Sequence, residues 1–185
     1  AIGGATERGP RRGRVRVAAV LLVTAALASA SVPWRLRGAE SAPPIHDVTT
    51  DTDDPPRFGA LRGRRPGATT PVDYPGPAVA AQQRLGYPHI APLPLAVAPR
   101  VALARAETAV RALGWTIAAV DTAAGRVEAT DRTTWFGPHG DVVVRVSPAG
   151  RGSRVDVRSL SRVGGGDVGA NAARIRKFMD RIQQS

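Results

Sequence analysis

Two stretches near the C-terminal end of this 185-residue chain alternate apolar and polar residues with a period of two, which fits a strand and not a helix. Asp141 to Ser147 sets Val142, Val144 and Val146 on one side. Ser153 to Val163 sets Val155 and Val157 on one side and Arg154, Asp156 and Arg158 on the other. The turn-forming run Pro148-Ala149-Gly150-Arg151-Gly152 between them makes the pair an antiparallel hairpin. A second hairpin is expected just upstream, from Trp115 to Val120 and from Gly125 to Asp131 around an Asp121-to-Ala124 turn, with Ile117, Val127 and Ala129 facing inward. The four strands read as an antiparallel meander.

Helical periods flank the meander. Leu103, Ala106, Val110 and Leu113 form one stripe and Gly114 occupies a C′ position, which predicts a helix over Pro99 to Leu113. After the break at Gly164-Gly165-Gly166, Asp167 is a candidate N-cap, and Ile175, Phe178, Met179 and Ile182 recur at i, i+3, i+4, i+7. The order α-β-β-β-β-α over residues 99–185 predicts an α+β two-layer domain with two helices covering one face of a four-stranded sheet. Residues 35–98 are rich in proline and glycine, contain the cluster Arg57, Arg62, Arg64 and Arg65, and hold no sustained period, so an extended segment is expected there. Ile45, Val48, Phe58, Tyr74, Leu93 and others are too many apolar groups for a free linker, so part of it should pack on the domain. A short helix is expected within Gly76 to Leu85.

The other end of the chain points to a membrane. An apolar run from Val17 to Val32 follows Arg8, Arg11, Arg12, Arg14 and Arg16. Extended to Trp34 it makes a helix of about 27 Å, barely the hydrocarbon thickness. Ala28-Ser29-Ala30 would suit a signal peptidase, whereas the long lead containing Glu7 and the Trp34, Arg35 and Arg37 flank suit a retained anchor. A transmembrane helix over 17–34 is preferred, with residues 1–16 a basic cytoplasmic tail and everything after Trp34 extracytoplasmic, on the periplasmic or cell-envelope side. The first residue is Ala1, so further upstream spans are possible.

Charge and cysteine content narrow the partners. The net charge is +11, but seven arginines and two glutamates fall within residues 1–40, leaving 19 basic and 13 acidic residues beyond them. An exported domain rarely meets nucleic acid, and few aromatics are available for base stacking, so nucleic acid is not an expected partner. A lipid headgroup, an anionic envelope polymer or a membrane protein is. The absence of cysteine excludes disulfides and thiolate chemistry.

Several ordered motifs carry a family likeness. Ile45-His46-Asp47-Val48-Thr49-Thr50-Asp51-Thr52-Asp53-Asp54-Pro55-Pro56, the Trp135-Phe136-Gly137 step, Ser153 to Ser159, Ser161-Arg162-Val163, and Asp167-Val168-Gly169-Ala170-Asn171-Ala172-Ala173-Arg174-Ile175-Arg176 resemble the bacterial domain-of-unknown-function 1499 family over about Pro43 to Ile182. The resemblance implies a domain that often follows hydrophobic spans, in keeping with an anchor, and carries no settled activity onto these residues.

Three constellations are candidates for a site. His46, Asp51, Asp53 and Asp54 gather the hard oxygens, with one imidazole, that a divalent cation takes, but Pro55, Pro56 and Arg62 fall where a calcium loop needs a ligand, a glycine and a bidentate glutamate. Local turn hydrogen bonding is the alternative. Arg154, Arg158 and Arg162 share one side of the last strand, and Asn171 and Arg174 on the closing helix could join them to hold a phosphate or carboxylate. A solvated face, or internal pairing with Asp156 and the Asp51 to Asp54 cluster, is the commoner outcome for such a row. Trp135 and Phe136, between the second and third strands, either meet a lipid or cap the core.

No G-x-S-x-G, H-E-x-x-H or P-loop pattern is present, and no motif calls for a cofactor. Ser159 or Ser161 with His46 has nothing specific behind it as a nucleophile and base. Non-catalytic binding of a lipid, an anionic envelope component or a membrane partner is the expected function. The alternative is a metal-dependent hydrolase built on Asp51, Asp53, Asp54 and His46.

Overall fold

The computed structural model describes residues 42–132, 139–164 and 169–185. Their element order is β1 (Asp47–Thr49), α1 (Pro77–Gly86), β2 (Leu93–Leu95), α2 (Pro99–Ala112), β3 (Thr116–Asp121), β4 (Arg126–Asp131), β5 (Gly140–Ala149), β6 (Gly152–Ser161) and α3 (Ala170–Gln183). The class is α+β, as the pattern predicts. The expected meander is present as β3–β6, each strand antiparallel to the next.

Among the described residues the sheet has six strands, not four. β1 and β2 both pair antiparallel with the outer edge of β6, β1 opposite Arg158 to Leu160 and β2 opposite Ser153 to Val155. At three residues each they are too short to show a period, and only their partner makes them strands. A third helix, α1, reaches β1 through one side chain. Its buried Gln83 acts as a strand would, accepting from the Thr49 amide at 2.9 Å and donating to the Thr49 carbonyl at 2.6 Å, which closes the free edge of β1.

Each face of the sheet has a cover. On one face, Val127, Ala129, Val142, Val144, Val146, Val155 and Val157 meet the helices. α2 presents Ala102, Ala106 and Ala109, whose small side chains let it sit close, and α3 presents Ile175, Phe178 and Ile182. Trp115 stacks on Phe178 with centroids 6.2 Å apart. Gly114, with φ 74°, ends α2 as the expected C′ glycine. The N-cap of α3 is Gly169, in left-handed conformation, and Asp167 lies outside the described residues.

The opposite face is covered by the irregular segment between β1 and α1. Phe58 and Leu61 from that segment pack on Val143 of β5 and Leu160 of β6. Glu128 on β4 holds the segment in place: its carboxylate accepts the amides of Gly59, Ala60 and Leu61 at 2.9, 3.0 and 2.9 Å. The architecture is thus helices, sheet and an irregular third layer, where two layers were expected. No helix among the described residues is long and apolar enough to cross a membrane, and the run 17–34 lies outside them.

Candidate functional site

Alternation along β6 places Arg154, Arg158 and Arg162 on one face, as the sequence predicts, and the structure puts that face beneath the irregular layer. Each arginine meets a fully buried aspartate there. Arg154 Nε donates to Asp156 at 3.0 and 3.1 Å, and Arg145 Nη2 reaches the same carboxylate at 3.1 Å. Arg158 grips Asp47 with two parallel bonds of 2.9 and 2.7 Å. Arg162 grips Asp141, which also accepts from Arg65 Nε at 2.8 Å and from the Thr130 hydroxyl at 2.9 Å. The row is therefore neutralised from within, the outcome such rows commonly have.

Asn171 and Arg174 lie on the other face of the sheet and do not join that row. Arg174 donates to Asp131 at 2.8 Å, to the Ser159 hydroxyl at 3.0 Å and to the Asn171 side-chain oxygen at 2.7 Å. Asn171 in turn donates to the His46 carbonyl and to the Ser161 hydroxyl, each at 2.9 Å. Ser159 and Ser161 are thus buried members of a structural network between β6 and α3, and among the described residues no histidine side chain is bonded to either hydroxyl.

The acidic cluster is dispersed by its partners. Asp51 accepts from Arg154 at 2.6 Å and Arg145 at 3.2 Å, and its other oxygen caps the amides of Asp53 and Asp54. Asp53 pairs with Arg84 and Asp54 with Arg145. Among the described residues no three of His, Asp and Glu are gathered to hold a metal ion. Partial burial works against the Asp51 charge, but the Asp54 and Asp53 amides and the two guanidiniums outweigh it and hold its carboxyl below the usual 3.8. At Asp47 burial wins over Arg158 and pushes the carboxyl up. Trp135 and Phe136 lie outside the described residues.

Two of the open concavities among the described residues bear on binding. One, of about 400 Å³, sits over the Arg158 guanidinium, which is flanked by the rings of Phe58 and Tyr74 at 5.2 and 5.4 Å. The Tyr74 hydroxyl is buried there without a hydrogen-bond partner, and burial together with the Asp47 charge pushes its pKa up to about 12, so it remains an O–H donor. Asp53, Asp54 and Asp73 crowd the same rim. The other, of about 410 Å³, is a groove between α2 and the β3–β4 turn, floored by Leu103, Val120 and Val146 and bounded by Arg100, Ala104 and Glu107.

The family model for a protein of unknown function, DUF1499, matches residues 47–182, from β1 to the last turn of α3. The chain belongs to the DUF1499 family. No curated protein matches it. In this DUF1499 domain the matched span begins at Asp47, which carries the buried partner of Arg158, so the first strand of the sheet belongs to the family unit along with the meander. Sequence reasoning missed Asp141, Glu128, Arg145, Asp131 and the groove. One signal was available for the covered second face of the DUF1499 sheet. The unbroken run Val142-Val143-Val144 departs from strict alternation, as a strand buried on both faces does.

Proposed function

We propose that this chain is a membrane-held, extracytoplasmic domain that binds an anionic lipid component and does not transform it. Residues 17–34 serve as the anchor, with the arginines of the tail on the cytoplasmic side. The fate of the polar side chains favours binding over chemistry: Asp47, Asp141 and Asp156 are each fixed by guanidinium donors, and a carboxylate committed to an arginine in this way is not free to turn toward a substrate or a metal. The observation that carries the binding reading is the groove beside α2, an apolar trough within the size range of small-ligand sites, roughly 300–1,000 Å³.

The experiment is native mass spectrometry on the full chain extracted from its own membrane, preceded by fractionation and protease accessibility. Sedimentation with membranes, digestion only from the outer side, and a bound mass matching a lipid are expected. A chain that stays in the soluble fraction removes the anchor, and an unliganded chain travelling with another protein replaces lipid binding with a scaffold role. A bound divalent cation lost in Asp53→Asn would restore the hydrolase alternative.

A further inference from the structure

The groove has polarity along its length. Arg100, Leu103, Ala104 and Glu107 recur at i, i+3, i+4 and i+7 on one stripe of α2, a run of about 10 Å at 1.5 Å per residue. Between the two charged residues the surface is apolar, with Ala104 exposed on the wall and Leu103 and Val146 buried in the floor. At one end Glu107 is already satisfied by Arg111, at 2.7 Å. At the other, the exposed Arg100 side chain has no ion pair or hydrogen bond among the described residues. The unmatched charge is therefore positive and sits at one end only.

The far wall of the groove is held close. Gly125 adopts φ 62° and its carbonyl accepts the Val146 amide at 2.8 Å, while a Cβ at this position would run into the Val146 carbonyl. This contact ties the β3–β4 turn to β5, so the trough is a fixed feature of the sheet and not a gap left by a loose hairpin.

We propose that this groove seats a single-chain amphiphile with an anionic head, a fatty carboxylate, the chain lying along α2 over Leu103 and Val146 and the head against Arg100. The inference rests on the lipid-binding reading above and specifies its ligand and its residues. A volume of about 410 Å³ is near the lower end of small-ligand sites, which favours one chain over the two of a phospholipid. The lone guanidinium selects an anionic head over a cationic one.

The test is photoaffinity labelling of the full chain in its own membrane vesicles, with diazirine-bearing octanoate, whose length matches the groove, as probe and the matching octylamine as control. Labelling by the carboxylate is expected in peptides containing residues 99–107 or 120–126, displaced by unlabelled octanoate. Ala104→Phe, which fills an exposed wall position, and Arg100→Glu should each reduce it roughly tenfold, and Arg100→Glu should leave the amine signal undiminished. Circular dichroism confirms that both variants fold. Equal labelling by the amine, or labelling that neither variant changes, overturns the assignment. If the extracted chain carries a lipid mass yet labels elsewhere, lipid binding survives and the groove falls. If it carries none and takes no label, both readings fall together.

Discussion

Arg158, on the last strand, and Asp47, on the first, form a two-bond ion pair in which both side chains are almost completely excluded from solvent. The pair fastens β1 to β6, and the spare guanidinium donors reach the Pro56 and Val72 carbonyls, so the same arginine also fastens the irregular layer. Removing one partner leaves a buried charge without compensation. Asp47→Ala is expected to cost about 3–5 kcal/mol. The double variant Asp47→Leu/Arg158→Met removes both charges and should be less destabilised than that single change, although the two carbonyls lose their donor. Urea titration of the three proteins measures this directly. A double variant as unstable as Asp47→Ala would mean that the packing around Arg158, and not the ion pair, is what the structure depends on.

Glu128 places both carboxylate oxygens against three successive backbone amides, at Gly59, Ala60 and Leu61. A carboxylate accepts at both oxygens, whereas an amide brings a donor to one of them. Glu128→Gln should therefore set an NH2 group against a backbone N–H and destabilise the domain by about 1–3 kcal/mol. Hydrogen exchange gives the location: the amides of residues 59–61 should lose protection well before those of β5. Uniform loss across the sheet would show that the irregular layer and the sheet unfold as one unit.

How far this arrangement can be read from the sequence depends on the range of the interactions. The valine alternation of β5 and β6 and the stripes of α2 and α3 are local, and they appear within a residue or two of where they were expected. β1 and β2 are defined by partners more than 50 residues away, and three residues carry no period. The arginine row on β6 is legible from alternation, and so is the presence of acids near it. The pairing of Arg158 with Asp47 across more than a hundred residues is not, because nothing local distinguishes Asp47 from the other aspartates of its segment. The short connection from β6 to α3 suggests that Asn171 and Arg174 join the row, but α3 packs on the helix side of the sheet and carries them to the opposite face. The groove is not legible in the sequence because its residues come from three elements and none is unusual alone.

Tyr74 offers a sharper test of the polar cavity over Arg158. Its hydroxyl is buried and unpartnered, a state that disfavours the folded chain by the desolvation of an O–H group. Tyr74→Phe keeps the ring that flanks Arg158 and removes only the oxygen. Stability should stay the same or rise by up to about 1–2 kcal/mol, read as the midpoint of thermal or urea unfolding. A clear loss of stability would reveal a partner for the hydroxyl in solution and make the cavity a hydrated site.

The acid limb of stability should belong in part to Asp51. Its carboxyl is held below its ordinary 3.8 in the folded protein, so folding favours the ionised form. The contribution is complete above the unfolded value and is lost as the pH falls from about 4 toward the folded value. Asp47 works in the opposite sense: burial makes the folded state hold that proton more tightly, so its contribution is complete below the unfolded value of 3.8 and declines as the pH rises above it. Comparing wild type with Asp51→Asn cancels the Asp47 effect. The variant keeps an oxygen to cap the Asp53 and Asp54 amides and gives up the charge facing Arg154 and Arg145. It should be less stable than wild type near pH 6, and the gap should narrow steadily between about pH 5 and pH 3. A gap that stays constant across this range would mean that Asp51 acts through its hydrogen bonds alone and that the two arginines add no net charge stabilisation.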